Sequence, residues 1–224
     1  MGGVIFDLDD TLYPRERFVR SGLAATAQYV EREFGIPAER ALTTMLKVGG
    51  GAPAAEFQTL CDVFMLPHDI LPRMLATYRA HVPSLWLFHD AEATLRALRA
   101  DGWQLALLTN GLPEVQALKV DALGLRALVD HVVFATDHAP GGKPHPAAFQ
   151  EVLRRLALPA DHCVMVGDDV ECDVRGARAV GIGAIRIARG IPSAPCEADA
   201  VVRFLADVPS AAASLVGKAS AHAA

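Results

Sequence analysis

No stretch of this 224-residue chain is apolar for long enough to span a bilayer, and none is basic for long enough to track a nucleic-acid backbone. The start of the chain lacks a basic segment followed by an apolar run and a small-residue cleavage site, and Asp7 arrives almost at once. A secretory signal is therefore not expected. Cysteine is scarce: Cys61, Cys163, Cys172 and Cys196 form no CxxC pair and no dense framework. That spacing excludes a disulfide scaffold and a tetrahedral zinc site, and it points to reduced, mostly buried thiols in a cytoplasmic protein. Charge of one sign is also lacking, with 21 basic against 26 acidic residues and a net charge of −5. Neither a nucleic acid nor a membrane is the expected partner. There is no internal repeat.

What is there is a core. The chain is 52% hydrophobic and 21% charged, as in a soluble globular protein, and its length suits one large domain or a domain with an inserted module. Short β-rich apolar runs recur at Val4–Leu8, Gln104–Leu108, His131–Ala135, Cys163–Val166 and Gly183–Ile187. Most are apolar on both faces, the pattern of parallel strands covered by helices on both sides. Helical patterns fall between them. Asp90 is placed to cap a helix through Arg99, with Leu95 and Leu98 inward and Gly102 after its end. Pro113–Leu123, Pro146–Leu156 and Asp173–Val180 read the same way. The alternation predicts an α/β fold, a Rossmann-like doubly wound parallel sheet with right-handed crossovers.

Residues 15–88 break this rhythm. They hold helix-period stretches at Glu16–Phe34, Ala38–Val48, Ala54–Met65 and Asp69–Ala80, separated by the flexible turn Gly49-Gly50-Gly51 and by Pro67. An all-helical insert after the first strand follows. The expected organisation is a core of residues 1–14 and 89–217, an insert of 15–88, and a frayed tail of 218–224. A strand at Ala200–Phe204 and a helix at Ser210–Val216 would close the core.

Ligands of an open parallel sheet bind beyond the carboxyl ends of its strands, and four segments deliver polar groups there. The first strand ends in Asp7-Leu8-Asp9, and a period of two puts the two carboxylates on one side. They suit a metal, or a nucleophile beside an acid/base. Asp10 would then point away, into local hydrogen bonding. The second strand ends in Thr109-Asn110-Gly111, which offers a hydroxyl, an amide side chain and a main-chain N–H to phosphate oxygens. Lys143 follows the third strand, between Gly142 and Pro144, and its cation would balance the carboxylates. The fourth strand ends in Gly167-Asp168-Asp169, with Asp173 able to cap the next helix. Oxygen ligands without clustered Cys or His suggest a hard cation, Mg²⁺, and the whole set suggests in-line phosphoryl transfer.

The order of these segments resembles the haloacid dehalogenase superfamily, over nearly the whole chain. The resemblance rests on DxDxT at Asp7–Thr11, Thr109 in "LLTNG", Lys143 in "GGKPHPAAF", and GDDxxxD ending in Asp173. It implies that Asp7 is a nucleophile forming an aspartyl phosphate, and that Asp9 protonates the leaving alkoxide and then activates water. It implies that Thr109, Asn110 through its main chain, and Lys143 hold the phosphoryl group. Mg²⁺ would be held by Asp7, the Asp9 main-chain carbonyl and Asp168, with Asp173 acting through water or by holding Lys143. The insert would be the helical cap that chooses the substrate, with Arg15, Arg17, Arg79 and His81 near its two ends. The implied activity is a Mg²⁺-dependent phosphomonoesterase acting on a small phosphorylated metabolite, a monomer or weak homo-oligomer. A phosphosugar mutase, a 2-haloacid dehalogenase and a catalytically silent binding module are the alternatives, and the presence of Asp9 argues against the dehalogenase.

Overall fold

The computed structural model describes residues 2–49, 53–190 and 196–222. Gly50 and Gly51 of the expected glycine turn, and the last two residues of the expected tail, lie outside the described residues. The chain divides into two compact units, Arg15–Leu85 and the combination of Met1–Pro14 with Trp86–Ala224.

The first unit is helical, with α1 (Arg15–Phe34), α2 (Ala38–Leu46), α3 (Pro53–Phe64) and α4 (Leu71–Ala80). Along α1, Phe18, Leu23, Ala27 and Val30 recur at helical spacing and are buried. Met45, Phe57, Leu60, Met74 and Tyr78 supply buried side chains from the other three helices.

The second unit is an α/β sheet domain. Its elements are β1 (Gly3–Phe6), α5 (Ala91–Ala100), β2 (Gln104–Thr109), α6 (Pro113–Ala122), β3 (His131–Phe134), α7 (Pro146–Leu156), β4 (Cys163–Gly167), α8 (Gly176–Arg178), β5 (Gly183–Ile187), β6 (Ala200–Val202) and α9 (Val208–His222). All strand pairings are parallel, in the order β3-β2-β1-β4-β5-β6. The doubly wound sheet read from the hydrophobic pattern is therefore present. Its central strands are buried along their length, and Ile5, Leu108, Val133, Phe149, Val152 and Met165 share one core cluster.

Register positions the site. Phe6 at the end of β1 is aligned with Leu107 of β2 and with Val166 of β4. The three chains leave the sheet together, and the strand order reverses between β1 and β4, where a crevice forms in folds of this kind.

Several expectations change. β1 ends at Phe6, short of Leu8, because the chain turns back on itself: Leu12 N–H donates to Leu8 O at 3.0 Å and Asp10 N–H to Tyr13 O at 2.9 Å. Asp10 takes a left-handed backbone, φ 58°, which a short polar side chain tolerates better than most. The last helix runs on to His222, past the expected end at Val216. Asp90 stands at the start of α5, yet its carboxylate makes no cap bond there. It accepts instead from Leu205 N at 2.7 Å and Arg189 Nη2 at 3.1 Å, so it ties the start of α5 to chain that follows β5 and β6.

Candidate active site

Asp7 lies one residue past β1, its N–H donating to Val166 O at 2.9 Å, so its buried side chain emerges at the reversal between β1 and β4. Lys143 reaches it from the loop between β3 and α7. The loop is held by a reciprocal pair: Lys143 N–H donates to Asn110 Oδ1 at 2.7 Å, and Asn110 Nδ2 donates to Lys143 O at 2.9 Å. Gly142, at φ 71°, permits this approach, since a Cβ there would overlap Asn110 Oδ1. The Lys143–Pro144 peptide is cis. The Lys143 ammonium, on a side chain only 3% exposed, donates to Asp7 Oδ1 at 2.6 Å and to Asp173 Oδ1 at 2.7 Å.

Asp173 does not cap a helix, as its position after the acidic run suggests. It sits inside a wide π-helical turn, Val170–Arg175, and the capping is done by Asp169, whose Oδ1 accepts from Cys172 N at 2.7 Å. The second oxygen of Asp173 accepts from Asp169 N at 3.1 Å. Its carboxylate packs against Gly167, where any side chain would collide with it. Asp168 accepts from the Thr11 hydroxyl at 3.4 Å. Carboxylate oxygens of Asp7, Asp168 and Asp173 all lie within 4.8 Å of one another.

Two of these three acids, Asp7 and Asp173, thus share one lysine. Burial pushes the Asp7 carboxyl up to about 7; Lys143 opposes this, and the Asp173 charge adds to it. Burial and the charges of Asp7 and Asp10 raise Asp168 to about 6. Asp173 is also raised, by burial first. Burial disfavours the Lys143 cation, but the two acids beside it win and hold it above the ordinary lysine range. The cluster is short of positive charge. Hard carboxylate donors with a surplus of negative charge fit a divalent cation such as Mg²⁺.

Asp9 is turned to a different set of partners. Because the strand has ended, alternation no longer governs its direction; its carboxylate is not among the three clustered acids, though its charge still adds to the upward push on Asp7. Lys119 Nζ, from α6, donates to both Asp9 oxygens at 2.8 and 2.9 Å. Gln116 Nε2, one turn earlier, donates to Asp9 Oδ2 at 3.0 Å and to Thr109 Oγ1 at 2.6 Å. The Tyr13 hydroxyl donates to Asp9 as well. Burial works to raise the Asp9 carboxyl, but the Lys119 charge and this donor cage bring it below its ordinary value.

The structure therefore brings together Asp7, Lys143, Asp168 and Asp173, and places Asp9 and Thr109 in one hydrogen-bonded group beside Gln116. The Asn110 side-chain amide, one of the groups its pattern offers to phosphate, is committed to the Lys143 main chain. Arg79 is exposed at the end of α4, and His81 is buried, its ring 4.9 Å from that of Phe18 and its Nδ1 donating to Tyr78 O at 2.7 Å. His145 is exposed, and its Nδ1 accepts from Ala147 N at 3.2 Å to cap α7.

A family model described as haloacid dehalogenase-like hydrolase matches residues 1–181. The chain belongs to that family. This haloacid dehalogenase-like hydrolase is 30% identical to a glyceraldehyde 3-phosphate phosphatase of Methanocaldococcus jannaschii, over 84% of this chain and 85% of the relative. It is 32% identical to a ribulose-1,5-bisphosphate 5-phosphatase of Halopiger xanaduensis, over 80% and 81% of the two chains. Among solved structures, a HAD phosphatase from Thermococcus onnurineus superposes with a TM-score of 0.65 at 27% identity, over 94% of this chain and 97% of that one.

Sequence reasoning missed Gln116, Lys119 and Tyr13 in this hydrolase. A signal was there. Gln116 and Lys119 fall within the buried stripe of α6, beside Val115 and Val120, where a surface helix keeps apolar residues. Polar groups in such a stripe need a buried partner.

Proposed function

We propose that this hydrolase is a Mg²⁺-dependent phosphomonoesterase that releases phosphate from a small phosphorylated metabolite through a phosphorylated Asp7. The observation that carries the reading is the contrast at one sheet edge: Asp7, Asp168 and Asp173 clustered with negative charge to spare although Lys143 bonds two of them, and Asp9 as a separately partnered carboxylate. The phosphatases among its relatives support the same reading.

In the first step an Asp7 oxygen attacks phosphorus and the bond to the ester oxygen breaks. Asp9 in its protonated form gives the leaving oxygen its proton. In the second step the Asp9 carboxylate takes a proton from water, the water oxygen attacks phosphorus, and the bond to Asp7 breaks to free phosphate. The donor cage around Asp9 favours the carboxylate, the form this second step needs. Lys143 holds Asp7 in place and offsets charge on the phosphoryl oxygens, and Thr109 and the Asn110 main chain bind those oxygens. Mg²⁺ would be held by Asp7, Asp168 and the Asp9 main-chain carbonyl, with Asp173 orienting Lys143, and when bound it supplies neutralisation of the phosphoryl charge.

The helical segment 15–88 acts as the substrate-selecting cap of a core made of 1–14 and 89–217. The protein works in the cytoplasm as a monomer or weak homo-oligomer. The test is phosphate release over a panel of sugar phosphates, nucleotides and phosphoglycolate, with Mg²⁺ and with chelator. Magnesium-dependent phosphate release that Asp7→Asn abolishes is the expected result. Isomer formed without free phosphate, or chloride released from a chloroacid without Mg²⁺, overturns the reading.

A further inference from the structure

We propose that Lys119 and Gln116 are positioning residues: they lock Asp9 and Thr109 into one unit so that the leaving oxygen of an unactivated phosphate ester receives its proton. The proposal rests on the phosphatase reading above and extends it to residues on α6 that the sequence motifs do not include.

Lys119 is only 5% exposed, although it stands in the middle of a helix whose other faces reach water. Lysine is almost never this buried without a specific partner. Its ammonium meets both oxygens of Asp9 at 2.8 and 2.9 Å, which restrains the rotation of the carboxylate as well as its position. Gln116, three residues earlier on the same helix face, is also buried. The end of its amide that faces Asp9 must be the NH₂, because an ionised carboxylate only accepts. Its two hydrogens are then accounted for, one on Asp9 Oδ2 at 3.0 Å and one on Thr109 Oγ1 at 2.6 Å.

That bond sets the polarity of Thr109. Its oxygen accepts from Gln116, and its own hydrogen has a weak acceptor nearby, Asn110 O at 3.5 Å. The hydrogen is left to be given to a phosphoryl oxygen. The Tyr13 bond to Asp9 comes from the same turn as Asp9 and moves with it. Lys119 and Gln116 come from a different segment, so they fix that turn to α6 and, through Thr109, to the end of β2. A helix that merely needed a soluble residue here would not bury both.

The experiment compares two esters that differ in their need for a proton. p-Nitrophenyl phosphate has a leaving group stable as the anion; glycerol phosphate does not. kcat/KM for each, with Mg²⁺ supplied, covers the step in which phosphorus is transferred to Asp7. For Lys119→Met we expect a loss of about 100-fold with glycerol phosphate and under about 5-fold with p-nitrophenyl phosphate. Lys119→Arg, which keeps a charged donor pair, restores most of the loss on glycerol phosphate. An equal loss on both esters, no loss on either, or no recovery by arginine overturns the proposal. Should Lys119→Met fail to fold, Lys119→Gln is read by the same ratio of the two esters. A wild-type enzyme that releases phosphate from neither ester overturns the phosphatase reading itself, and the proposal with it.

Discussion

The Asp7 side of the sheet edge and the Asp9 side begin two residues apart and end in opposite electrostatic environments. On the Asp7 side two buried carboxylates bond one lysine and a third, half-buried, stands beside them, and burial raises both Asp7 and Asp168. On the Asp9 side one carboxylate faces a lysine, an amide and a phenol, and its pKa is lowered. One side lacks a positive charge and the other has its charge already met. The two groups are chemically identical, and it is their partners that separate them. The lesson is that the direction of the chain after the strand, and not the carboxylate itself, assigns the role.

The largest effect that would sharpen this comparison is at Asp7. Asp7→Asn should reduce phosphate release to background, a loss on the order of 10⁴-fold or more, measured by the initial rate with the best ester of the panel. A loss no greater than that at Asp9 would mean the two sides do not differ in kind. Metal removal tests the missing charge next. Chelation should lower the rate on the order of 10³-fold, with recovery on adding Mg²⁺, and Asp168→Asn should weaken the Mg²⁺ dependence by at least about 10-fold. A rate indifferent to chelator breaks the comparison.

Asp9→Asn should cost about 10²- to 10³-fold on an alkyl phosphate and less on an aryl phosphate, read from kcat/KM on both. The smallest effect on rate belongs to Asp90, a buried carboxylate that is in neither the acid cluster nor the Asp9 group and is held by Arg189 and the Leu205 N–H. Burial tends to raise its carboxyl, but the Arg189 hydrogen bond and the Leu205 N–H more than offset this. Its stabilisation is therefore present above about pH 4, the unfolded value, and is lost as pH falls through the lower folded value. Asp90→Ala should lower unfolding free energy by about 1–3 kcal/mol at neutral pH, by denaturant titration, with kcat within about 2-fold of wild type.

Much of the frame was legible. Apolar runs doubled on both faces announce parallel strands, and the five expected from them correspond to β1 through β5 with ends that differ by at most two residues. Residues 15–88 read as helical because no run there alternates or is apolar throughout, and the helices of Arg15–Leu85 follow that reading. The polar residues at the strand ends were also legible, since acids that follow a fully apolar strand stand out. The partners of Asp9 were less so. Lys119 lies 110 positions away from it, and nothing local in the sequence around Lys119 names the acid it meets. Asp173 was legible in part: an acid before a helix reads as a cap, a role that the wide turn after β4 gives to Asp169, while the family resemblance also implied the hold on Lys143 that Asp173 makes.

By itself the sequence determined the strand and helix order, the helical insert, and the set of charged groups delivered to one edge. Each of these depends on periodicity or on neighbours within a few residues. Tertiary structure decided which charges meet. It ended β1 at Phe6, so that Asp7 joined Asp168, Asp173 and Lys143 while Asp9 joined Lys119 and Gln116. The reason is physical: a buried charge must find an opposite charge or a donor, and in a doubly wound sheet that partner comes from whichever crossover returns to the same edge.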